Sequence, residues 1–598
     1  MTMEELPVSN QCVTTYTLET KNLSYTHQNP SHHQFTRLLS SKISLSPPPP
    51  KYIIKNVTLV ARPGQLTAIA GPSGAGKTTL LEILAGKIDP GKLSGQILVN
   101  GSPIDPSTFR RLSGHVSQDD ALFPHLTVEE TFTYSALFRL PRHWANHRAR
   151  QVIRNLGLDH VANSRIVEIS GGERRRASIG IELVHNPGVL LVDEPTSGLD
   201  SSSALHVVSL LRSAAAAGKT VVLTVHQPGA RILDLLDNLI LVSNGLVVHH
   251  GPLDLLESRL RLAGLVIPLR HVNILEFAIE IEIETETLSS SHQETMTTIE
   301  RGPPRSTLVG PTAMTNFCAN SRLDEMLVLG DRFRKNIFRT RELFAARAVQ
   351  AVIVGSALGT VYMKAVREKN SGLLETRLGF FAFTLSYLLT SSTEALPIFL
   401  RERKVLEREV SSGAYRVSSY VAANALVFAP FLLLVGILYS APVYWLVGLR
   451  RDVDGFLYFA VVVWAVVMAS NSFTACFSVV VPDFIVGSSV IAGLMGSFFL
   501  FSGYFVARED MPRYWVLMHY LSLFRYPFES MVMNEYGGKR CVEYVGVECV
   551  LYGEEYLREK GFREWEKWSH LGVMFGFAVG YRVICFLILW WRGCGARK

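Results

Sequence analysis

Residues 71–79 read Gly71-Pro-Ser-Gly-Ala-Gly-Lys-Thr-Thr79; the apolar run Gln65-Leu-Thr-Ala-Ile-Ala70 precedes them and Leu80-Leu-Glu-Ile-Leu-Ala-Gly-Lys87 follows. This is the pattern G-x-x-x-x-G-K-S/T in the context it needs, a strand before the loop and a helix after it. Glycines let backbone amides converge on phosphate oxygens, and the start of the following helix adds positive potential. Lys77 then reaches the β and γ phosphates, and Thr78 is placed to ligate Mg²⁺. Alone, the loop specifies a nucleotide and no more. A second stretch narrows the reading: Val189-Leu-Leu-Val-Asp-Glu-Pro-Thr-Ser-Gly-Leu-Asp200 is a buried apolar strand ending in two carboxylates. Asp193 stands where a carboxylate would hold the metal through water. Strand alternation would turn Glu194 to the opposite side, where it can polarise attacking water as general base. Paired carboxylates at a strand end are ordinarily a solvated turn, and the phosphate loop upstream reverses that preference.

Outward from this core, nothing before Ala345 approaches the ~18 charge-free residues a membrane helix needs, so the first half reads as soluble. After it come six apolar runs, 345–363, 378–400, 419–441, 456–480, 484–506 and 571–591. Each is about long enough to cross ~30 Å of hydrocarbon, and Pro430 in the third is tolerable where neighbouring helices satisfy the backbone. Composition agrees: 598 residues are too many for one domain, and only 19% are charged against about 25% in soluble proteins. A net charge of +7 in so long a chain does not indicate a nucleic-acid partner. Seven cysteines, at 12, 318, 476, 541, 549, 585 and 594, are too scattered for a disulfide scaffold or a zinc cluster. The start MTMEELPVSNQC lacks an apolar run behind basic residues, so no cleaved signal peptide is expected and the N-terminal half should be cytosolic.

Basic residues orient the spans. Arg332, Arg334, Lys335, Arg339 and Arg341 precede the first, and Arg401, Arg403, Lys404, Arg408 and Arg416 follow the second. These mark the inner face, and an even number of spans returns the C-terminus to it, leaving 507–570 outside. Two connectors stand out. Residues 39–51 carry four consecutive prolines, which suits a polyproline II insertion. The alternation in AIEIEIETET would mean a strand, but like charges and the Ser/Thr run behind it favour a helix end passing into a solvated acidic linker. Within the second span, Glu394 needs a partner, and Asn471 in the fourth is a candidate.

Ile169-Ser-Gly-Gly-Glu173, followed by Arg174, Arg175 and Arg176, resembles the signature motif of ABC transporters. The other elements of that family appear in order around it: Gln118 in HVSQDD matches the Q-loop, Ser197 to Asp200 the D-loop, and His226 in LTVHQP the switch histidine. Tyr25 in KNLSYTH matches the aromatic that stacks on adenine, with Tyr16 a possible substitute because residues 26–50 lengthen the connection. ATPase first and six spans second, with ISGGERRR and HQP, resembles the half-size G subfamily of the plant white-brown complex type. Further matches are FLRERKVLERE, SSGAYRVSSY, FLFSGYFV and FRYPFESMVMNEY. Ile169 and Glu173 replace the leucine and glutamine of the general signature, substitutions familiar in this subfamily.

The resemblance implies an α/β P-loop NTPase, an ABC nucleotide-binding domain with antiparallel β and helical subdomains, followed by an all-α six-helix transmembrane domain. The expected boundaries are 1–275 for the nucleotide domain, 276–321 for the linker, 322–344 for a connecting helix and 345–598 for the membrane domain. ATP and Mg²⁺ are the implied ligands. Gly71, Pro72, Ser73, Gly74, Ala75, Gly76, Lys77, Thr78, Thr79 and Tyr25 would contact nucleotide, and Thr78, Gln118 and Asp193 the metal. Glu194, His226 and Gln118 would act in catalysis. Ser170, Gly171, Gly172, Glu173 and Asp200 would serve the site of a second half-transporter, since ATP is sandwiched between two such domains in the family. The implied activity is ATP-driven export of a lipophilic or amphipathic molecule, in the plasma membrane, by a homodimer or heterodimer. An ATP-gated conduit or regulatory half-subunit is the alternative; six apolar runs exclude a soluble ATPase of this family. Spans two and five line the central cavity in the family, so 380–389 and 496–501 would face cargo or lipid, and Ser489, Gly493 and Ser497 would lie near the two-fold axis.

Overall fold

The structure, a computed structural model, describes residues 15–26, 52–88, 90–262, 273–280, 320–367, 373–506, 510–538, 541–545, 548–563 and 565–595. The proline run and most of the acidic stretch lie outside them. The chain divides into two compact units, one up to Ala319 and one, in the main, from Asn320.

In the first unit, β1 (Leu18–Thr26), β2 (Tyr52–Ala61) and β3 (Leu66–Ala70) precede α1 (Lys77–Leu84). There follow β4 (Leu93–Val99), β5 (Ser102–Pro103), α2 (Pro106–Leu112), β6 (Ser113–Val116), α3 (Val128–Arg139), α4 (Arg142–Asn155) and α5 (Gly171–Leu183). Then come β7 (Val189–Val192), α6 (Ser201–Ala216), β8 (Thr220–Thr224), β9 (Asn238–Ser243), β10 (Leu246–Gly251) and α7 (Leu253–Leu262). The central sheet runs β10-β9-β3-β8-β7-β6, parallel except for β10 at its edge. Every residue of β3, β7 and β8 is buried, as expected of parallel strands covered on both faces. A second sheet, β2-β1-β4-β5, is antiparallel. A third core joins α3, α4 and α5 through Phe132, Val152, Ile169 and Ala177. These are the sheet, antiparallel and helical parts the sequence implied. Residues 274–280 are helical, and Leu275 and Ala278 enter the core of the sheet, so ordered packing runs past the expected boundary at 275.

The second unit opens with α8 (Arg322–Arg339) and α9 (Arg341–Arg367), then α10 (Leu373–Ser391), α11 (Leu396–Ser411), α12 (Val417–Val447), α13 (Val453–Val480) and α14 (Phe484–Leu500). It ends with α15 (Val516–Leu521), α16 (Arg525–Tyr536), the hairpin β11 (Cys541–Val545) and β12 (Glu548–Tyr552), α17 (Gly553–Glu559) and α18 (Glu566–Gly595). Helices thus occupy all six expected span positions. Among the described residues, four are long and apolar enough to cross a membrane, within α9, α12, α13 and α18; α14 is apolar but only 17 residues long.

The second span departs most from expectation. Instead of running unbroken from 378 to 400, α10 stops at Ser391, a 3₁₀ turn takes Ser392–Ala395, and α11 restarts with Pro397 in its first turn. Proline has no amide to donate and its ring clashes with the preceding turn, so one continuous helix is disfavoured there. Glu394 therefore sits exposed on the turn, where the Gln350 amide donates to its Oε1 at 3.2 Å. Asn471 does not reach it: that residue is buried, and neither side-chain polar atom has a hydrogen-bond partner. Most of 380–389 faces neither cargo nor lipid, because Phe380, Phe381, Leu385 and Leu389 are core, while Phe383 is exposed. Ser489 and Gly493 are exposed and Ser497 half-buried. The segment after α14 is not purely helical, since it contains the hairpin. Cys541 stands opposite Tyr552 and Cys549 opposite Tyr544, and their side chains lie outside the described residues.

Charges in this unit are buried in pairs. The Arg332 guanidinium on α8 donates to Glu409 on α11 at 2.8 and 2.9 Å, with the Tyr415 hydroxyl donating to the same carboxylate at 2.6 Å. Burial alone would raise the Glu409 carboxyl; Arg332 outweighs it and leaves the pKa below the ordinary value. The pair therefore contributes stability above the ordinary carboxylate pKa and loses it as pH falls through the lower folded value. Arg403 was expected to serve as an inner-face anchor; its guanidinium donates to the Ser478 and Val481 carbonyls at the end of α13, at 2.8 and 2.7 Å. Removing one member of the buried pair should be more damaging than removing both. Arg332→Met is expected to cost roughly 3–5 kcal/mol and Arg332→Met/Glu409→Leu distinctly less, because the single change strands a buried carboxylate. Thermal unfolding of both variants in detergent checks this, and equal loss in the two would refute it.

Candidate functional site

The carboxyl ends of β3 and β7 bring the two motifs together. Gly71 leaves β3 at φ 151°, and a Cβ there would lie 2.0 Å from the Val242 carbonyl oxygen, so only glycine fits. Gly76 caps α1 at φ 96°, the left-handed region, where the loop turns into the helix. Lys77, 6% exposed, points its ammonium back into the loop and donates to the Gly71 and Pro72 carbonyls at 2.8 and 3.0 Å. Burial lowers its pKa, and Glu194 and Asp193 oppose the shift. Ser73, Gly74 and Thr78 are exposed at the loop surface, Ala75 is buried, and Pro72 and Thr79 are intermediate.

Asp193 is 4% exposed at the end of β7. Its Oδ1 accepts from the Thr224 hydroxyl at 2.6 Å and from Thr78 at 3.3 Å. Glu194 follows with φ 42°, a left-handed conformation that is costly for a non-glycine residue. Thus β7 has already ended, and this twist, not strand alternation, redirects the Glu194 side chain. It is held by two bonds: its amide donates to Thr224 Oγ1 at 2.7 Å, and its Oε2 accepts from the Gln118 amide at 2.9 Å. On the other side of the loop, His226 Nε2 and Ser73 Oγ share a hydrogen bond of 2.7 Å. The structure therefore brings together Ser73, Lys77, Thr78, Gln118, Asp193, Glu194 and His226.

Two contributors escaped the sequence reading. Thr224, fully buried at the end of β8, holds both carboxylate residues through one hydroxyl. Arg175, buried on α5, donates to the carbonyls of Ser117 at 2.8 Å, Gln118 at 3.1 Å and Asp193 at 2.5 Å, and pairs with Asp120 at 2.8 Å. It ties the segment after β6 to the end of β7. A threonine ending an apolar strand and one arginine in a run of three carry no signal of their own before the strand order is known.

The signature stands apart. Ser170 is the N-cap of α5, with Gly171 and Gly172 beginning the helix, and forms a capping box with Glu173. The Ser170 amide and hydroxyl both donate to Glu173 Oε2 at 2.8 Å, and His160 Nε2 meets Oε1 at 2.8 Å. Burial would raise the Glu173 pKa; the Ser170 hydrogen bonds and His160 outweigh it and lower the value. Asp200 caps α6, accepting from the Ser203 amide at 3.1 Å, and is exposed. Among the described residues, no hydrogen bond joins 169–173 to 71–79.

Tyr25 is in the core of the antiparallel sheet, 9% exposed, opposite Ile54, whose side chain abuts Gly76. It is thus next to the loop, with little ring area free. Tyr16 is on the wrong side: its ring packs against Gly188, before β7, and its carbonyl accepts from Thr220 at the start of β8, so it cannot replace Tyr25.

Residues 54–197 match the ABC transporter family and residues 324–536 the ABC-2 type transporter family. The chain is 45% identical to ABC transporter G family member 5 of Arabidopsis thaliana, covering 92% of this chain and 90% of that protein. It is 42% identical to member 8 of the same organism over 98% of each. The chain belongs to the G family of ABC transporters. A solved structure, cbiO1 from Clostridium perfringens, part of the ABC transporter complex cbiONQ, aligns with 45% of this chain and 96% of its own at 23% identity and TM-score 0.35.

This G-family chain therefore binds ATP in its first unit and is an ATPase coupled to transport across the membrane that holds its second. Thr224 acts through its neighbours, so its loss should separate binding from turnover. Thr224→Val, close in shape, is expected to lower kcat for ATP about 10- to 100-fold while changing nucleotide affinity less than about threefold. Steady-state ATPase rates beside fluorescent-nucleotide titration check this, and parallel loss of both would mark Thr224 as structural only.

Proposed function

We propose that this chain works as one half of a dimeric exporter, a homodimer or a pair with a related half-transporter, that moves lipophilic or amphipathic molecules outward by alternating access. The observation that carries the reading is the separation inside one chain: phosphate loop and signature occur once each and make no hydrogen bond to one another among the described residues. Ser170, Gly171, Gly172, Glu173 and Asp200 then belong to the partner's nucleotide, offering a hydroxyl and the amides of a helix start to the γ-phosphate. Exposed small residues on α14, Ser489 and Gly493, suit close approach of a second copy.

Within its own site, Lys77 and the amides of residues 71–79 hold the β and γ phosphates, with Tyr25 presenting its ring edge to the base. Glu194 accepts a proton from the attacking water, and the Gln118 amide orients that carboxylate, while its amide oxygen would be free to hold Mg²⁺. His226, already bonded to Ser73, senses the γ-phosphate. The hydroxyl of Thr78, the carboxylate of Asp193 and the amide oxygen of Gln118 are hard oxygen donors that fit Mg²⁺, which when bound neutralises developing phosphate charge. Both termini face the cytosol, and the six helices at the expected positions cross the bilayer. Exposed apolar residues such as Phe383 on α10 and Val490 on α14 fit a greasy cargo better than a charged one.

Glu194→Gln removes the proton acceptor and keeps size and hydrogen bonding. ATP affinity should stay within about threefold while kcat falls at least about 100-fold. Inside-out vesicles carrying the wild type should accumulate lipophilic metabolites in a vanadate-sensitive way, and those carrying Glu194→Gln should not. A conduit would dissipate such a gradient, and that outcome would overturn the exporter reading.

A further inference from the structure

Inside the helical unit, α9, α10, α12 and α13 line a cavity of about 30 Å³, widening to about 430 Å³ when the space at its open side is included. Two polar side chains in its wall are buried and unsatisfied. Arg347 is 9% exposed, and its Nη2 has no hydrogen-bond partner; Ser392 is 1% exposed, and neither has its Oγ. A guanidinium cannot shed its charge, so burying one without a counter-ion is unfavourable, and a cavity beside it is a place for an anion. The nearest protein carboxylate, Glu394, acts on Arg347 electrostatically, yet it is exposed and its Oε1 takes the Gln350 amide at 3.2 Å. No hydrogen bond joins Glu394 to Arg347 among the described residues.

The remaining wall is mostly apolar and aromatic, with Gln350 and Ser391 as further polar residues. Leu432 and Val467 face the space, and Tyr387 stacks on Tyr439 with ring centres 5.7 Å apart and 23° between planes. A planar guanidinium fork and a hydroxyl in one wall match the two oxygens of a carboxylate, a head smaller than a phosphate. Tyr387, half-buried in the wall, offers aromatic surface to an apolar body leaving by the open side. We propose that this cavity is a binding site for the carboxylate head of an amphipathic acid, held by Arg347 and Ser392, with Glu394 as a neighbouring charge that weakens the grip. The site goes beyond the exporter reading and needs no nucleotide turnover.

The test is equilibrium binding of tritiated palmitate to the full-length protein in lipid nanodiscs without ATP. Saturable binding that palmitate methyl ester does not displace is expected, with hexadecyl phosphate competing more weakly. Arg347→Gln should weaken palmitate about tenfold or more, judged in protein that still binds ATP, and Ser392→Ala about threefold. Glu394→Gln should tighten it about threefold, a gain that misfolding cannot imitate. Equal binding of the methyl ester, an unchanged Arg347→Gln affinity or a Glu394→Gln variant that binds no tighter would each overturn the proposal. Where these hold, ATP-dependent uptake of palmitate into vesicles marks the acid as cargo, and its absence marks a resident lipid; either supports the site.

Discussion

A single buried carboxylate organises the nucleotide unit. Asp193 ends the central strand β7 and is removed from water, so its charge needs fixed donors. Thr224 supplies one from β8 and Thr78 another from the start of α1, while Arg175 grips the backbone oxygen of the same residue from α5. Four elements distant in sequence are thereby locked at one point. The left-handed turn at Glu194 is tolerable because Thr224 and Gln118 restrain the residue from both sides. Strain of this kind persists only where the surroundings over-determine it, which places the Glu194 carboxylate on a rigid mount.

What the sequence made legible is what is written in contiguous residues. The loop at 71–79, the apolar strand leading to Asp193 and the signature at 169–173 each carry their chemistry within a short window; the six apolar runs contain helices, but the second is broken at Ser392–Ala395 and the helix of the fifth ends at Leu500. What it left unreadable depends on who stands opposite. Tyr25 matches the base-stacking aromatic with Tyr16 a possible substitute, but strand order puts Tyr16 at the amino end of the sheet and Tyr25 beside the phosphate loop. Glu394 and Asn471 read as partners because both are polar in apolar runs. The break at Ser392–Ala395 instead carries Glu394 to the surface, toward Gln350. Thr224 and Arg175 are ordinary residues until β6, β7 and β8 are adjacent.

The helical unit obeys a different constraint, the cost of charge away from water. Arg332 with Glu409, Arg377 with Glu535 and Arg525 with Glu529 are pairs in which each residue brings its own counter-charge into the fold. Arg582 on α18 is satisfied differently, donating to Asn424 at 2.7 Å and Ser472 at 3.2 Å on neighbouring helices. Arg332, Arg377 and Arg582 are met by partners on other elements, which pins helix rotation and register as apolar contact alone would not, while Arg525 and Glu529 pair along one helix. Against that pattern, Arg347, buried with an outer nitrogen that takes no hydrogen bond, is a departure from how these arginines are held.

The signature raises the same question of competing charge at a helix start. With glutamic acid at 173 where the wider family has glutamine, a full negative charge sits in the first turn of α5, where the helix dipole favours it. The carboxylate takes the Ser170 hydroxyl that the reading above assigns to a γ-phosphate, so the two anions compete for one donor. His160 offsets part of the charge at 2.8 Å. The capping box therefore does more than start a helix: it ties the signature serine's hydroxyl to a carboxylate in the same turn.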